Sequence, residues 1–187
     1  MLESIRLLDE WILLWFQGIH NKILDNVFWY VSEGWIFFPL WGWALYEIFG
    51  LYGVKQIWKI IVIVGFTILI SDQICNVFKN QVKRLRPTHQ QEYKEKIKVV
   101  NGYVGGKYGF YSAHASNSAA IGMLTFLLVR RSRVKYWMVI YPLLSGVSRM
   151  YLGVHFFTDV LMGWVMGMVI AYFVFLLFQR YLLVKDN

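Results

Sequence analysis

Residues 156–179 read FFTDVLMGWVMGMVIAYFVFLLFQ, and Asp159 is the only charged side chain among them. A helix needs about 20 apolar residues to cross the ~30 Å hydrocarbon layer of a bilayer, so this stretch reads as a span. Four more apolar segments lie upstream, at roughly 27–49, 57–79, 113–130 and 135–150. The last of these is the weakest, its clean apolar part running only from Tyr136 to Val147. The whole chain agrees with a membrane setting. Of its 187 residues 58% are hydrophobic and only 16% charged, too little polar surface to cover a water-soluble domain of this size. Aromatic residues make up 19%, with nine Trp, which suits side chains that settle at the headgroup level.

Residues 2–19 follow a different pattern. Leu7, Leu8, Trp11, Ile12, Leu14 and Trp15 recur at helical spacing, while Glu3, Arg6, Asp9 and Glu10 supply a polar side. This predicts an amphipathic helix lying in the interface, because as a span it would carry acids into hydrocarbon. The same acids leave no cleavable signal peptide in view. The single cysteine, Cys75, excludes an internal disulfide and sits in an apolar stretch as a small buried hydrophobe. The expected architecture is all-α: one domain over residues 1–187, with five transmembrane helices, an interfacial helix at 2–19 and a long functional loop at 80–112.

The connections set the orientation. The formal charge is +8, and Arg130, Arg131, Arg133 and Lys135 crowd one short loop, which argues for the cytoplasmic side. Arg180 and Lys185 then fall inside as well, while alternation places 80–112 and 149–155 together on the opposite face. No internal repeat of the kind that marks many transporters is visible, which weakens the main non-enzyme alternative, a small membrane transporter.

Three clusters share that opposite face. The first runs from Lys79 to Pro87 and includes Lys83, Arg84 and Arg86. Pro87 disfavours helical geometry at Arg86 and should end the helix there. The second is Tyr111-Ser112-Ala113-His114, at the start of a span, where free backbone N–H groups and the helix dipole favour an anion. Ser112 is placed to cap that helix. The third holds Ser148, Arg149, His155 and Asp159; the last two are four apart and share a helix face. Lys79, Arg86 and Arg149 with two histidines and a carboxylate are what phosphate-ester cleavage needs: cations on the phosphoryl oxygens, a nucleophile and an acid for the leaving alkoxide.

In sequence, Lys-six residues-Arg-Pro, then Ser-x-His, then Ser-Arg-five residues-His-three residues-Asp resembles the three signature motifs of the type 2 phosphatidic acid phosphatase superfamily. The resemblance implies a metal-free, cofactor-free phosphatase acting through a phosphohistidine. It assigns His155 as nucleophile, Asp159 as its orienting partner and His114 as general acid. Lys79, Arg86, Ser112, Ala113 through its N–H, and Arg149 would hold the phosphate. Tyr111 and Ala113 depart from the family's usual Pro-Ser-Gly-His. The implied partner is a membrane lipid and not nucleic acid, and the implied place is a bacterial inner membrane with the site facing the periplasm. The stretch from Gly105 to Phe110 resembles a bacterial subgroup that includes lipid A phosphatases. This ranks a lipid A phosphate first, ahead of undecaprenyl diphosphate and phosphatidylglycerol phosphate.

Outside the motifs, Lys83 and Arg84 read as headgroup anchors, and His20 and His89 as structural. Asp72 is divided between a functional role and a hydrogen bond to Asn76 or backbone. Lys94, Lys96, Lys98 and Lys107 read as a solvated face near anionic lipid, ahead of contacts to a second anionic group on the substrate.

Overall fold

A computed structural model describes residues 2–129 and 131–183, and among them it holds seven α-helices and no β-strand. They are α1 (Leu2–Gly18), α2 (Lys22–Glu33), α3 (Phe38–Tyr52), α4 (Val54–Val82), α5 (Ala113–Leu128), α6 (Val134–Tyr151) and α7 (Phe157–Leu183). Arg130 and Lys185, two of the charges used to orient the chain, lie outside the described residues, as does the side chain of Arg180.

The segment expected as one span over 27–49 is two helices. Gly34 takes the left-handed conformation at φ 83°, ending α2, and Pro39 opens α3 after a short 3-10 turn. Two of the five expected spans, α4 and α7, are long and apolar enough to cross a membrane by length and composition. With 15 and 16 residues, α3 and α5 are short of an upright crossing. Large apolar side chains face outward along the long helices, Trp58, Ile61 and Leu69 on α4 and Phe173 and Leu177 on α7. That belt is the surface a bilayer would cover.

At the centre stands α5, packed against α4, α6 and α7. Its small residues Ala115, Ser116, Ala119 and Ala120 are buried, and Gly163 and Gly167 of α7 face them. A β-carbon at Gly163 would stand 2.6 Å from the Ser112 carbonyl oxygen and 2.9 Å from Ala115 Cβ. Small residues four apart let two helix backbones meet closely, the usual seam between helices in lipid. Further along, Leu124, Leu128, Met138, Ile170 and Val174 close the core.

One face of α1 meets the bundle. Leu13, Phe16 and Gln17 are buried, while Leu7, Leu8, Trp11 and Trp15 are exposed. Apolar side chains of α1 therefore point both into the bundle and away from the protein. Asp9 does not lie on a solvated polar side: it is buried in the bundle.

Candidate active site

The long loop is fastened at its two ends. Lys83 ends α4 in the left-handed conformation, its N–H donating to the Lys79 carbonyl oxygen. Beyond it Arg86 is extended, as the following proline dictates. An isolated antiparallel bridge pairs Leu85 with Tyr108; Arg86 N–H donates to Lys107 O at 3.1 Å and Gly109 N–H to Arg84 O at 2.9 Å. Between these ends Tyr93 and Ile97 pack with Leu13 of α1 and Phe156. Glycine is required where the loop touches the site. Gly105 lies at φ 66°, and a side chain there would strike the Arg86 guanidinium.

The α5 N-terminus supplies the second wall. Ser112 is its N-cap, accepting a long 3.5 Å hydrogen bond from Ala115 N–H, and Ser112 N–H donates to Asp159 O at 3.0 Å. Ala113 is the first helical residue and needs no positive φ, so alanine meets the geometry without strain. One position on, His114 is exposed.

The third wall is α6 and the turn after it. Arg149 is 1% exposed; one guanidinium nitrogen donates to Ser32 Oγ of α2 and the other to the Tyr103 hydroxyl at 2.7 Å. Tyr103 lies below its ordinary pKa: burial works upward, but the charge and hydrogen bond of Arg149, aided by Arg86, outweigh it. Arg149 Nε and Arg86 Nη1 are buried donors with no protein partner. Buried polar groups are nearly always satisfied, so two unmet cationic donors at one place are what an anion would fill.

His155 and Asp159 are fully buried, with Nδ1 3.5 Å from Oδ2. Asp159 occupies the third position of α7, and its Oδ2 accepts from Phe156 N–H at 3.1 Å, the carboxylate half of a capping box. Burial pushes His155 well below its ordinary pKa, and the charges of Arg86, Arg149 and Lys79 push it further; the Gly109 backbone works the other way. Arg149, His155, Arg86 and Lys79 all lie within electrostatic reach of His114 at the start of α5. Residues from four separate elements thus converge, and the two imidazoles lie within electrostatic reach of each other and of the same three cations. Every expected site residue lies at this end of the bundle.

Sequence reasoning missed several neighbours. Arg84, read as a headgroup anchor, instead turns inward. Its Nη1 donates to Asp159 Oδ1 at 2.8 Å and Thr158 Oγ1 at 2.7 Å, its Nη2 donates to Asp9 Oδ2 at 2.6 Å, and the guanidinium lies over the Phe156 ring at 4.2 Å. Asp9 accepts from Thr158 N–H at 2.9 Å and Thr158 Oγ1 at 2.6 Å, so a carboxylate of α1 caps the start of α7. Its sequence signal is its register: Asp9 shares a helix face with Leu13 and Phe16. Tyr103 and Ser32 carried no such signal. Elsewhere, Asp72 accepts from Asn117 Nδ2 at 2.9 Å, across to α5 and not to Asn76. His20 stacks on Tyr151 and lies 2.9 Å from Asp25, a structural role. Lys83, His89, Lys94, Lys96, Lys98 and Lys107 are exposed, and Cys75 is buried, its thiol donating to Tyr111 O at 3.2 Å.

The sequence model of the PAP2 superfamily matches residues 60–182, the stretch that carries all three motif clusters. The chain belongs to the PAP2 superfamily. Among its PAP2 relatives, a lipid A 4'-phosphatase of Porphyromonas gingivalis is 31% identical over 180 residues, covering 93% of this chain and 74% of the relative. A lipid A 4'-phosphatase of Bacteroides thetaiotaomicron is 30% identical, covering 89% and 75%. Phosphatidylglycerophosphatase B of Bacillus subtilis is 28% identical over 67% of this chain and 61% of its own. The crystal structure of a transmembrane PAP2 type phosphatidylglycerolphosphate phosphatase from Bacillus subtilis superposes with a TM-score of 0.71, covering 98% of this chain and 90% of its own at 21% identity. The PAP2 helical fold therefore extends over α1–α7.

Proposed function

We propose that this protein is a membrane phosphatase that hydrolyses the phosphate ester of a lipid, a lipid A phosphate first, through a phosphohistidine intermediate and without metal. The observation that carries the reading is the pair of buried, unpartnered cationic donors on Arg86 and Arg149 beside His155. Two lipid A 4'-phosphatases at about 30% identity over most of the chain favour that substrate over undecaprenyl diphosphate. The similarity to a phosphatidylglycerophosphatase keeps phosphatidylglycerol phosphate as the second candidate.

In this account Lys79, Arg86, Arg149, Ser112 and the Ala113 N–H hold the phosphoryl oxygens and neutralise the charge on them. His155, unprotonated at neutral pH, attacks phosphorus through Nε2. The bond from phosphorus to the lipid oxygen breaks, and His114 gives its proton to that oxygen. Asp159 faces Nδ1, keeping the proton there and steadying the positive charge that grows on the ring. Water then attacks the phosphohistidine, His114 takes its proton, and the P–N bond breaks to release inorganic phosphate. Five membrane helices in a single domain, with residues 2–19 in the interface and 80–112 as the active-site loop, would present this pocket to the periplasmic face of a bacterial inner membrane. A lipid phosphate there could enter sideways from the outer leaflet.

The test is phosphate release by the purified protein in detergent with chelator, from lipid A, phosphatidylglycerol phosphate, undecaprenyl diphosphate and phosphatidic acid, for the parent, His155→Ala and His114→Ala. The account expects chelator-resistant turnover, fastest on lipid A and lost in both variants. Loss of parental activity in chelator, or full activity in His155→Ala, overturns it.

A further inference from the structure

The contacts around Arg84 form a closed set that the phosphate-binding motifs do not include. Arg84 Nη1 has two protons, and both are engaged, one on Thr158 Oγ1 and one on Asp159 Oδ1. Nη2 bridges to Asp9 Oδ2, and the Phe156 ring backs the guanidinium plane. Asp9 in turn takes both the N–H and the hydroxyl of Thr158. These bonds join α1, the start of the long loop and the start of α7, all within one residue of the carboxylate that faces His155.

Resting on the phosphatase reading above, we propose that Arg84 and Asp9 are positioning residues for the reaction: they fix the Asp159 carboxylate, and through it the ring of His155. The geometry gives the reason. With Oδ2 held by Phe156 N–H and Oδ1 by Arg84, Asp159 is fixed at both oxygens without help from His155. The carboxylate is thus set before the substrate arrives, which is what preorganised catalysis requires. Arg84 is itself a long, flexible side chain, and beyond Thr158 and the Phe156 ring it is Asp9 that holds its far nitrogen. Asp9 is placed by α1, whose inner face is locked into the bundle through Leu13, Phe16 and Gln17. The interfacial helix is therefore part of the catalytic apparatus, although none of its side chains belongs to a motif. A lysine at position 84 could reach one carboxylate and not both, because it lacks the fork.

The experiment measures kcat and KM for purified Arg84→Gln, Arg84→Lys, Asp9→Asn and the double variant Asp9→Asn/Arg84→Gln, on the lipid phosphate the parent turns over fastest. Melting temperature in detergent is recorded alongside, and rates are taken per folded protein. Arg84→Gln should lower kcat about tenfold or more with KM within about threefold, the signature of a transition-state effect. Arg84→Lys should fall between it and the parent. Asp9→Asn should lose severalfold in kcat, and the double variant should be no worse than Arg84→Gln, since the two act as one unit. Parental kcat per folded molecule in Arg84→Gln or Arg84→Lys overturns the proposal, as does a loss confined to KM, which would make Arg84 a phosphate ligand. Additive losses in the double variant remove Asp9 from it. If Arg84→Gln does not fold, Arg84→Lys and Asp9→Asn carry the test on the same criteria. An inactive parent on every lipid would instead sink the phosphatase reading.

Discussion

Gly109 lies against Asp159: a β-carbon at position 109 would stand 3.0 Å from Asp159 Oδ2 and 3.2 Å from Arg86 Cγ. The loop backbone and the carboxylate that faces His155 are thus in contact through a residue that has no side chain. Gly109→Ala must displace the carboxylate or the arginine. It should cut kcat/KM by about tenfold or more, because small misplacements of groups at the reacting centre are costly. Steady-state kinetics on the purified variant check this, and an unchanged kcat/KM contradicts it.

The seam between α5 and α7 is tested at Gly163. A methyl there would press on the Ser112 carbonyl oxygen and Ala115 Cβ, and overpacking of this kind costs about 1–3 kcal/mol. Since Ser112 and His114 open α5 and Asp159 opens α7, Gly163→Val should lower both thermal stability in detergent and activity. Parental stability would mean that the helices can separate freely.

Tyr103 tests the arginine clamp. Tyr103→Phe removes the hydroxyl that accepts from Arg149, leaving a buried guanidinium with one partner fewer. Hydrogen bonds to charged groups contribute about 1.5–3 kcal/mol, so kcat/KM should fall by roughly tenfold or more. Initial rates at low substrate measure it; a variant within twofold of the parent would show that Ser32 alone suffices.

The pH profile follows from His155. Burial, then Arg86, Arg149 and Lys79, hold its pKa well below the ordinary value. In the proposed mechanism its attacking form is unprotonated, so activity is present above that pKa and lost as pH falls through it. The acid limb of kcat/KM assigned to His155 should therefore lie below about 6.5, the usual value for histidine. Lys79→Met removes a nearby cation, eases protonation of the ring and should move that limb to higher pH. The substrate phosphate ionises identically for parent and variant, so the difference isolates the enzyme. A limb that stays put or moves lower contradicts the assignment.

Much of this was legible in the sequence, and for physical reasons. Apolar runs announce helices in lipid, and Lys79, Arg86, His114, Arg149, His155 and Asp159 have side chains whose chemistry makes sense only in company. What escaped was pairing across long separations. Arg84 and Thr158 are 74 residues apart, and Asp9 and Thr158 are 149 apart; no periodicity links them. A basic side chain at a helix end reads as an anchor until its acidic partners are seen. The broken first segment escaped differently: residues 27–49 are apolar on both sides of Gly34, so hydropathy alone ran through a turn that only the glycine's φ > 0 permits.

The central claim, covalent catalysis by His155, is most directly tested by rapid acid-free quenching of the protein during turnover of a lipid carrying radiolabelled phosphate. The account predicts label bound to the parent through an acid-labile, alkali-stable bond, mapped to His155 and absent from His155→Ala. Label that persists in His155→Ala, or full turnover by that variant, would contradict it.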